Sequence, residues 1–455
     1  MVVANHHGFL LSADMGTGKT FTSIITAAVL AAKSDEPIKI IILCPMPVMG
    51  HWPAEFRKYS KIPFHVVALD KETASTKGQK VQAIEDALRL SKRKNVVIVV
   101  NYETVWRKGI AELILDQEWD LAILDEIHRV NNHDTKIGRF CSKLRLKCDR
   151  RLGMTGTPIG NSDIDIFGQA LFLRPDIFGT RHGAFVQRYA EIGFRGKPRR
   201  VLPHLQVELR EKIDSFSFGV PKSILDLPDS HRVERDVVMS DEATKQHDSI
   251  RDGIMELGDG RSVEASIVLA QMMRAQQITG GFVGGVGSDK KEVLLKWQGK
   301  ADVLKQICED VPVDQPIVVF ARFKTELDLI EQVAKKQKRR YAEISGRRKD
   351  GLTAESEMSP NADLVGAQIQ AGGTGISLVR ANVVVWWSLD HSANNFSQAE
   401  SRVHRPGQEN EVVNIHLIAR HPNGKPTIDE EIMDSMASKL DLAEWYRQNN
   451  LFGLD

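Results

Sequence analysis

Three short stretches of this chain have residue types and spacings that can do chemistry. The first, Ala13 to Thr20, reads ADMGTGKT: a small residue, four positions, then Gly-Lys-Thr, with alanine where glycine is commoner. Gly16 and Gly18 let backbone N–H groups approach a phosphate chain that a side chain would hold away. Lys19 would neutralise the terminal phosphates and the Thr20 hydroxyl would ligate magnesium, so Gly16, Thr17, Gly18, Lys19 and Thr20 form the expected cradle. The second stretch is Asp125-Glu126-Ile127-His128, two carboxylates ending an apolar run. Beside a phosphate loop, Asp125 can hold magnesium through water while Glu126 orients and polarises an attacking water. The third is QAESRVHRPGQ, Gln398 to Gln408. On a helix over Ser392 to Arg405, Gln398, Arg402 and Arg405 share one face at i, i+4 and i+7, with two cations poised for an anion. Each stretch also has a plain reading, as a glycine turn, an acidic strand end or a solvated helix face. Their occurrence together weighs against it.

Groups so far apart in sequence need a frame that converges on them. Phe9 to Leu11 reads as a buried strand and Phe21 to Ala32 as the helix after the loop. Continuous apolar runs recur at Lys39 to Pro45, His65 to Leu69, Val96 to Val100, Leu121 to Leu124 and Arg151 to Thr155, with a helical pattern at Val81 to Leu90. This is the alternation of an α/β fold whose parallel sheet is flanked by helices. From about Phe178 to Lys291 it lapses, and Asp241 to Leu257 and Ser262 to Gln276 carry helical periodicity. Gly280 to Gly287, GGFVGGVG, is glycine-dense and suits a hinge or a flexible turn. Helices at Lys300 to Glu309 and Lys324 to Gln337 then alternate with strands at Ile317 to Phe320, Tyr341 to Ile344, Val383 to Trp387 and Val412 to Ile418. The expected organisation is a first lobe over 1–178, a mostly helical insertion over 179–290, a second lobe over 291–426 and a bracing helix over 427–455.

The totals agree with a globular protein. A chain of 455 residues, 42% hydrophobic and 27% charged, is too long for one core and predicts two or three domains. A net charge of +1 argues neither for nor against nucleic acid, which needs a local basic track. Such tracks are KKQKRR at Lys335 to Arg340 and Arg347-Arg348-Lys349, with a smaller group at Lys197, Arg199 and Arg200. Four scattered cysteines without a CxxC pair argue against a disulfide framework or a zinc site. No stretch is long enough to span a bilayer and Met1 to Gly8 is no signal peptide, so a cytoplasmic protein is expected, in a bacterium or a phage-infected host.

Taken in order, ADMGTGKT, CPMPVMGHWPAEF, VVNYETV, LDEIHRVNN, MTGTPIGN, LFLRPDIFG, AGGTGISL and QAESRVHRPGQ resemble superfamily two helicases, and more narrowly their Swi/Snf branch. The resemblance implies two RecA-like lobes, ATP and Mg2+ at a site shared between them, and double-stranded DNA, forked or branched forms included, as the partner of a monomeric motor. It implies that Arg402 and Arg405 reach the γ-phosphate, with Gly375 and Gln398 beside the nucleotide. It places Pro45, Thr155, Thr157 and Thr374 along the nucleic-acid track, to which Arg347 and Arg348 are added as phosphate contacts. Asp390-His391-Ser392-Ala393 stands where chromatin remodellers carry Trp-Asn-Pro, and the insertion lacks their arginines before Leu227-Pro228. The first departure, with the minimal length, resembles compact bacterial and phage members. Family members place an adenine-recognising glutamine ahead of the loop, whereas the first glutamine here is Gln79; either the chain is N-terminally shortened or it holds the base by other means. The expected activity is ATP-dependent translocation on duplex DNA, its alternatives a strand-separating helicase and a nucleotide-gated DNA-binding scaffold. Protein partners are not legible.

Overall fold

The computed structural model describes residues 6–70, 73–156, 163–192, 198–258, 265–284, 292–348, 350, 362–370 and 376–437. Two compact units divide the chain between Leu225 and Asp226.

In the first unit, strands β1 (Gly8–Ala13), β2 (Lys39–Cys44), β3 (Phe64–Ala68), β4 (Asn95–Asn101), β5 (Trp119–Asp125) and β6 (Cys148–Thr155) are followed by a small hairpin, β7 (Ala190–Ile192) with β8 (Pro198–Val201), and then by β9 (Ser217–Val220). The main sheet has the order β3-β4-β2-β5-β6-β1-β9, and every neighbouring pair is parallel. Strands such as KIIILC and NVVIVVN are apolar on both faces because helices cover both faces of the sheet. Helix Lys19–Lys33 buries Ser23, Ile24, Thr26 and Ala27, whereas helix Ile166–Leu173, IFGQALFL, is buried on every side. The strand order places the C-terminal ends of β5, β6 and β1 side by side, and the phosphate loop and the Asp125-Glu126 pair both lie at those ends.

The second unit has its own parallel sheet, β10 (Ser230–Val238), β13 (Ile317–Ala321), β14 (Tyr341–Ile344), β15 (Leu364–Gln368), β16 (Val383–Trp386) and β17 (Val412–Arg420), in the order β10-β17-β16-β13-β15-β14. A two-stranded ribbon, β11 (Phe282–Val283) with β12 (Val293–Leu294), uses part of the glycine-dense connection. Helices Gly299–Asp310 and Lys324–Lys336 pack on the sheet, and residues 428–437 are helical. The remainder of the expected bracing helix lies outside the described residues. Lys300, almost wholly buried, donates to Trp387 O at 2.6 Å and to Asp429 Oδ2 at 2.7 Å. Asp429 also accepts from Thr279 Oγ1 at 2.7 Å and Ala419 N at 3.1 Å, so one buried ion pair ties two helices and a strand together.

Within the two main sheets, three strands depart from the sequence expectation. β9 and β10 fall within the stretch 179–290, which also holds helices at Asp241–Gly258 and Ala265–Thr279, close to the two expected, and one at Gln206–Asp214 that was not expected. β9 pairs with β1 in the first sheet and β10 with β17 in the second, and the boundary between the units falls between these two strands. Both are edge strands, one short and the other, SHRVERDVV, exposed at most positions, so neither shows the apolar run of a central strand. β15 is central but is LVGAQ, with a glycine where a Cβ would stand 2.3 Å from Tyr341 Oη. Among the described residues no helix is long and apolar enough to cross a membrane.

Candidate nucleotide site

The loop after β1 is built by its glycines. Gly16 and Gly18 adopt φ of 83° and 88°, the left-handed region that favours glycine, and a Cβ on Gly18 would project into space empty to 4 Å. The turn is held by Thr17 Oγ1, which donates to Asp14 O at 2.6 Å. Lys19 Nζ donates to Ala13 O at 2.7 Å and Asp14 O at 3.1 Å, so the ammonium folds back over the loop. Helix Lys19–Lys33 begins here without an acidic residue in its first turn, which leaves its N–H groups and positive dipole end suited to an anion.

β5 delivers the acids. Asp125 ends the strand opposite Met154 of β6, and its carbonyl accepts from Tyr102 Oη at 2.8 Å. Glu126 then takes φ 55° and ψ 54°, a left-handed conformation that costs a non-glycine residue about 1–3 kcal/mol. The turn is held from below: a Cβ on Gly153 would stand 2.5 Å from Ile127 Cδ1, and one on Gly168 2.1 Å from Val130 O. Gln169 Nε2 donates to Asn131 Oδ1 at 2.9 Å, fixing the chain beyond the turn.

The same geometry sets two carboxylates apart electrostatically. Burial first, and the Glu126 charge second, push Asp125 up to about 7 against the pull of Lys19 and His128. Burial also acts upward on Glu126, but a hydrogen bond and charge from His128, with Lys19 and Arg129, outweigh it and hold Glu126 below its ordinary value. Glu126 is therefore the member of the pair that ionises first. His128 Nδ1 lies 3.3 Å from Glu126 Oε2 and 3.2 Å from Thr155 Oγ1. A Cβ on the next residue, Gly156, would stand 3.8 Å from Lys19 Nζ, so loop, acids and the end of β6 form one site. Thr20 and Asp125 supply the hydroxyl and carboxylate oxygens that suit magnesium.

Several expected site residues lie elsewhere. Thr155 is fully buried, so its hydroxyl serves His128 and no exposed surface. Pro45, partly exposed, precedes the short turn Met46–His51. Thr157, Thr374 and Gly375 lie outside the described residues. In the second unit helix Ala393–Glu400 carries Gln398 but stops before both arginines, which differs from the single helix expected through Arg405. Pro406 disfavours helical backbone at Arg405, and Gly407 turns left-handed at φ 99°. Arg402 and Arg405 therefore ride on a turn, pinned by Leu378 N donating to Arg402 O at 2.7 Å and by the buried Gln408 amide donating to Ala381 O at 2.9 Å.

Several side chains of the basic tracks have partners within their own unit. Arg347 pairs with Asp328 at 2.6 Å and Glu343 at 2.8 Å, and Arg348 with Asp350 at 2.7 Å and Glu331 at 3.2 Å. Arg339 is buried on Cys308 O, Arg340 is paired with Asp363, and Lys335 with Glu331. In the first unit Arg200 is paired with Glu191. Sequence reading gave no role to Asp14, Tyr102 or His128; the acid inside the phosphate loop and the histidine two residues after Glu126 were the signals.

A parallel α/β unit with a glycine phosphate loop on one strand and an Asp-Glu pair two strands away defines a P-loop nucleotide-binding protein. More narrowly, the chain belongs to the SNF2-related family: residues 2–278 match the SNF2-related domain and residues 299–407 the helicase conserved C-terminal domain. It is 23% identical to a DNA repair and recombination protein RAD54-like of Drosophila ananassae, over 98% of this chain and 60% of that protein. It is 26% identical to the probable ATP-dependent DNA helicase CHR23 of Arabidopsis thaliana, over 98% of this chain and 42% of that protein. The chain thus spans about half the length of these relatives. A solved Sulfolobus solfataricus SWI2/SNF2 ATPase core in complex with dsDNA is similar at 20% identity and a TM-score of 0.42, over 98% of this chain and 91% of that one.

Proposed function

We propose that this protein is an ATP-driven motor that moves along double-stranded DNA. The observation that carries the catalytic half is the convergence on one loop of Lys19, the half-buried Asp125 and a left-handed Glu126 held by His128. Glu126, the carboxylate that ionises first, accepts the proton of an attacking water and fixes its direction. The backbone of Gly16 to Lys19 holds the β- and γ-phosphates, with the Lys19 ammonium leaving its two loop carbonyls for them. Thr20 and Asp125 would hold magnesium, whose charge would offset that of the phosphates. Arg402 and Arg405 of the second unit are assigned to the γ-phosphate, an arginine contact of this kind being worth about a thousandfold or more in rate. Strand 148–155 ends at both His128 and the loop, which suits it to report hydrolysis to the rest of the unit.

Support for DNA as the track comes from family membership and from relatives named for DNA repair and DNA helicase activity. The test is ATP hydrolysis with and without duplex DNA. A rate stimulated by the duplex and abolished in Lys19→Ala, Glu126→Gln and Arg405→Ala supports the motor. A rate indifferent to DNA, or retained in Glu126→Gln, supports a DNA-binding scaffold instead.

A further inference from the structure

Asp14 is an acid in a loop shaped to receive a polyanion, where its charge opposes the ligand. Its geometry shows what it does there. The main chain of Asp14 extends the β1–β9 ladder one step beyond Ala13, its N–H donating to Val220 O at 2.9 Å. Its side-chain Oδ2 accepts from Lys222 N at 2.8 Å, across 208 positions of sequence. Lys222 opens the short turn Lys222–Ile224, and the carboxylate caps its N–H from outside the turn. The Asp14 carbonyl meanwhile holds both Thr17 Oγ1 and Lys19 Nζ. One residue therefore joins the phosphate loop, the catalytic lysine and the segment that ends the first unit.

We infer that Asp14 is a positioning residue: by clasping the Lys222 N–H it fixes the loop peptide from which Lys19 is handed to the phosphates, and nucleotide binding tightens the clasp in return. The inference rests on the loop being a nucleoside triphosphate site. When Lys19 leaves Ala13 O and Asp14 O, the clasp and the β9 hydrogen bond are what hold the Asp14 peptide in place. By linkage, whatever the clasp adds to nucleotide affinity, nucleotide adds to the protection of the Lys222 amide.

The test uses the full chain with ATP and magnesium. Asp14→Ala removes the acceptor. Lys222→Pro removes the donor, at a position where proline fits because it opens a turn and follows a residue at ψ 156°. Each should raise the KM for ATP by about tenfold, the worth of one charged hydrogen bond, with kcat within about twofold. The double variant should be no worse than either single, and Asp14→Asn, which keeps an acceptor, should recover most of the loss. In the unaltered chain, ATP should slow amide exchange at residues 222–225, and this slowing should vanish in Asp14→Ala. Folded Asp14→Ala with an unchanged KM, single effects that multiply in the double variant, or exchange at 222–225 indifferent to ATP would each overturn the clasp. Failure of the unaltered chain to bind ATP would instead overturn the nucleotide site on which the inference rests.

Discussion

Gly18→Ala separates what the loop does for the fold from what it does for the ligand. Gly18 has φ 88°, so an alanine there carries a left-handed strain of about 1–2 kcal/mol. No steric cost adds to it, since a Cβ at this position meets nothing within 4 Å. For a unit of this size the melting temperature should fall by about 2–8 °C. In a phosphate loop the added Cβ would hold the phosphate chain away from the backbone N–H groups. Losing two charged hydrogen bonds there should weaken ATP binding by at least about a hundredfold. Gly168→Ala is the contrast: its Cβ would stand 2.1 Å from Val130 O, so it should damage the fold far more. The assay is thermal unfolding of both variants beside ATP titration by calorimetry. Gly18→Ala binding ATP within about threefold of the unaltered chain would refute the phosphate-loop geometry, as would a loss of stability matching Gly168→Ala.

Two further predictions concern the second unit. Asp429→Ala strips the buried Lys300 ammonium of the carboxylate it hydrogen-bonds and should destabilise the unit by about 3–5 kcal/mol, whereas Lys300→Met with Asp429→Leu should cost less than that single change. Urea unfolding followed by amide exchange of β13 and β16 checks the order, and a double variant worse than Asp429→Ala contradicts it. Burial raises Glu326 from its ordinary 4.5 to about 7, although Ser388 and the N–H groups of Phe323 and Arg322 hydrogen-bond to it. Between those values the unfolded chain releases a proton that the folded chain keeps, so stability falls as pH rises through that window. Its size is about 3 kcal/mol, and Glu326→Gln should abolish it. A difference between variant and unaltered chain that is equal at pH 4.5 and pH 7.5 would contradict this.

The frame of the site was largely legible because buried parallel strands announce themselves as apolar runs; β2, β4, β5 and β6 were each expected close to where they lie. Lys19, Asp125 and Glu126 were legible because their chemistry depends on local spacing. Less visible was whatever depends on partners distant in sequence. Arg347 looks like a free cation until Asp328, nineteen residues earlier, is folded against it. Arg340 is neutralised by Asp363, and Asp14 finds Lys222 only through the return of β9 to the sheet edge. The arginine segment was over-extended as a helix because the heptad-like spacing of Gln398, Arg402 and Arg405 outweighed the Pro406-Gly407 stop in the reading. β9, β10 and β15 escaped notice through edge position, exposed charge and a glycine that only Tyr341 explains.

Displacement of a triplex-forming strand, measured beside displacement of a strand from a forked duplex, tests the motor most directly. The account predicts ATP-dependent release of the third strand, lost in Glu126→Gln, with little separation of the duplex. Efficient separation of the duplex without release of the third strand would contradict it.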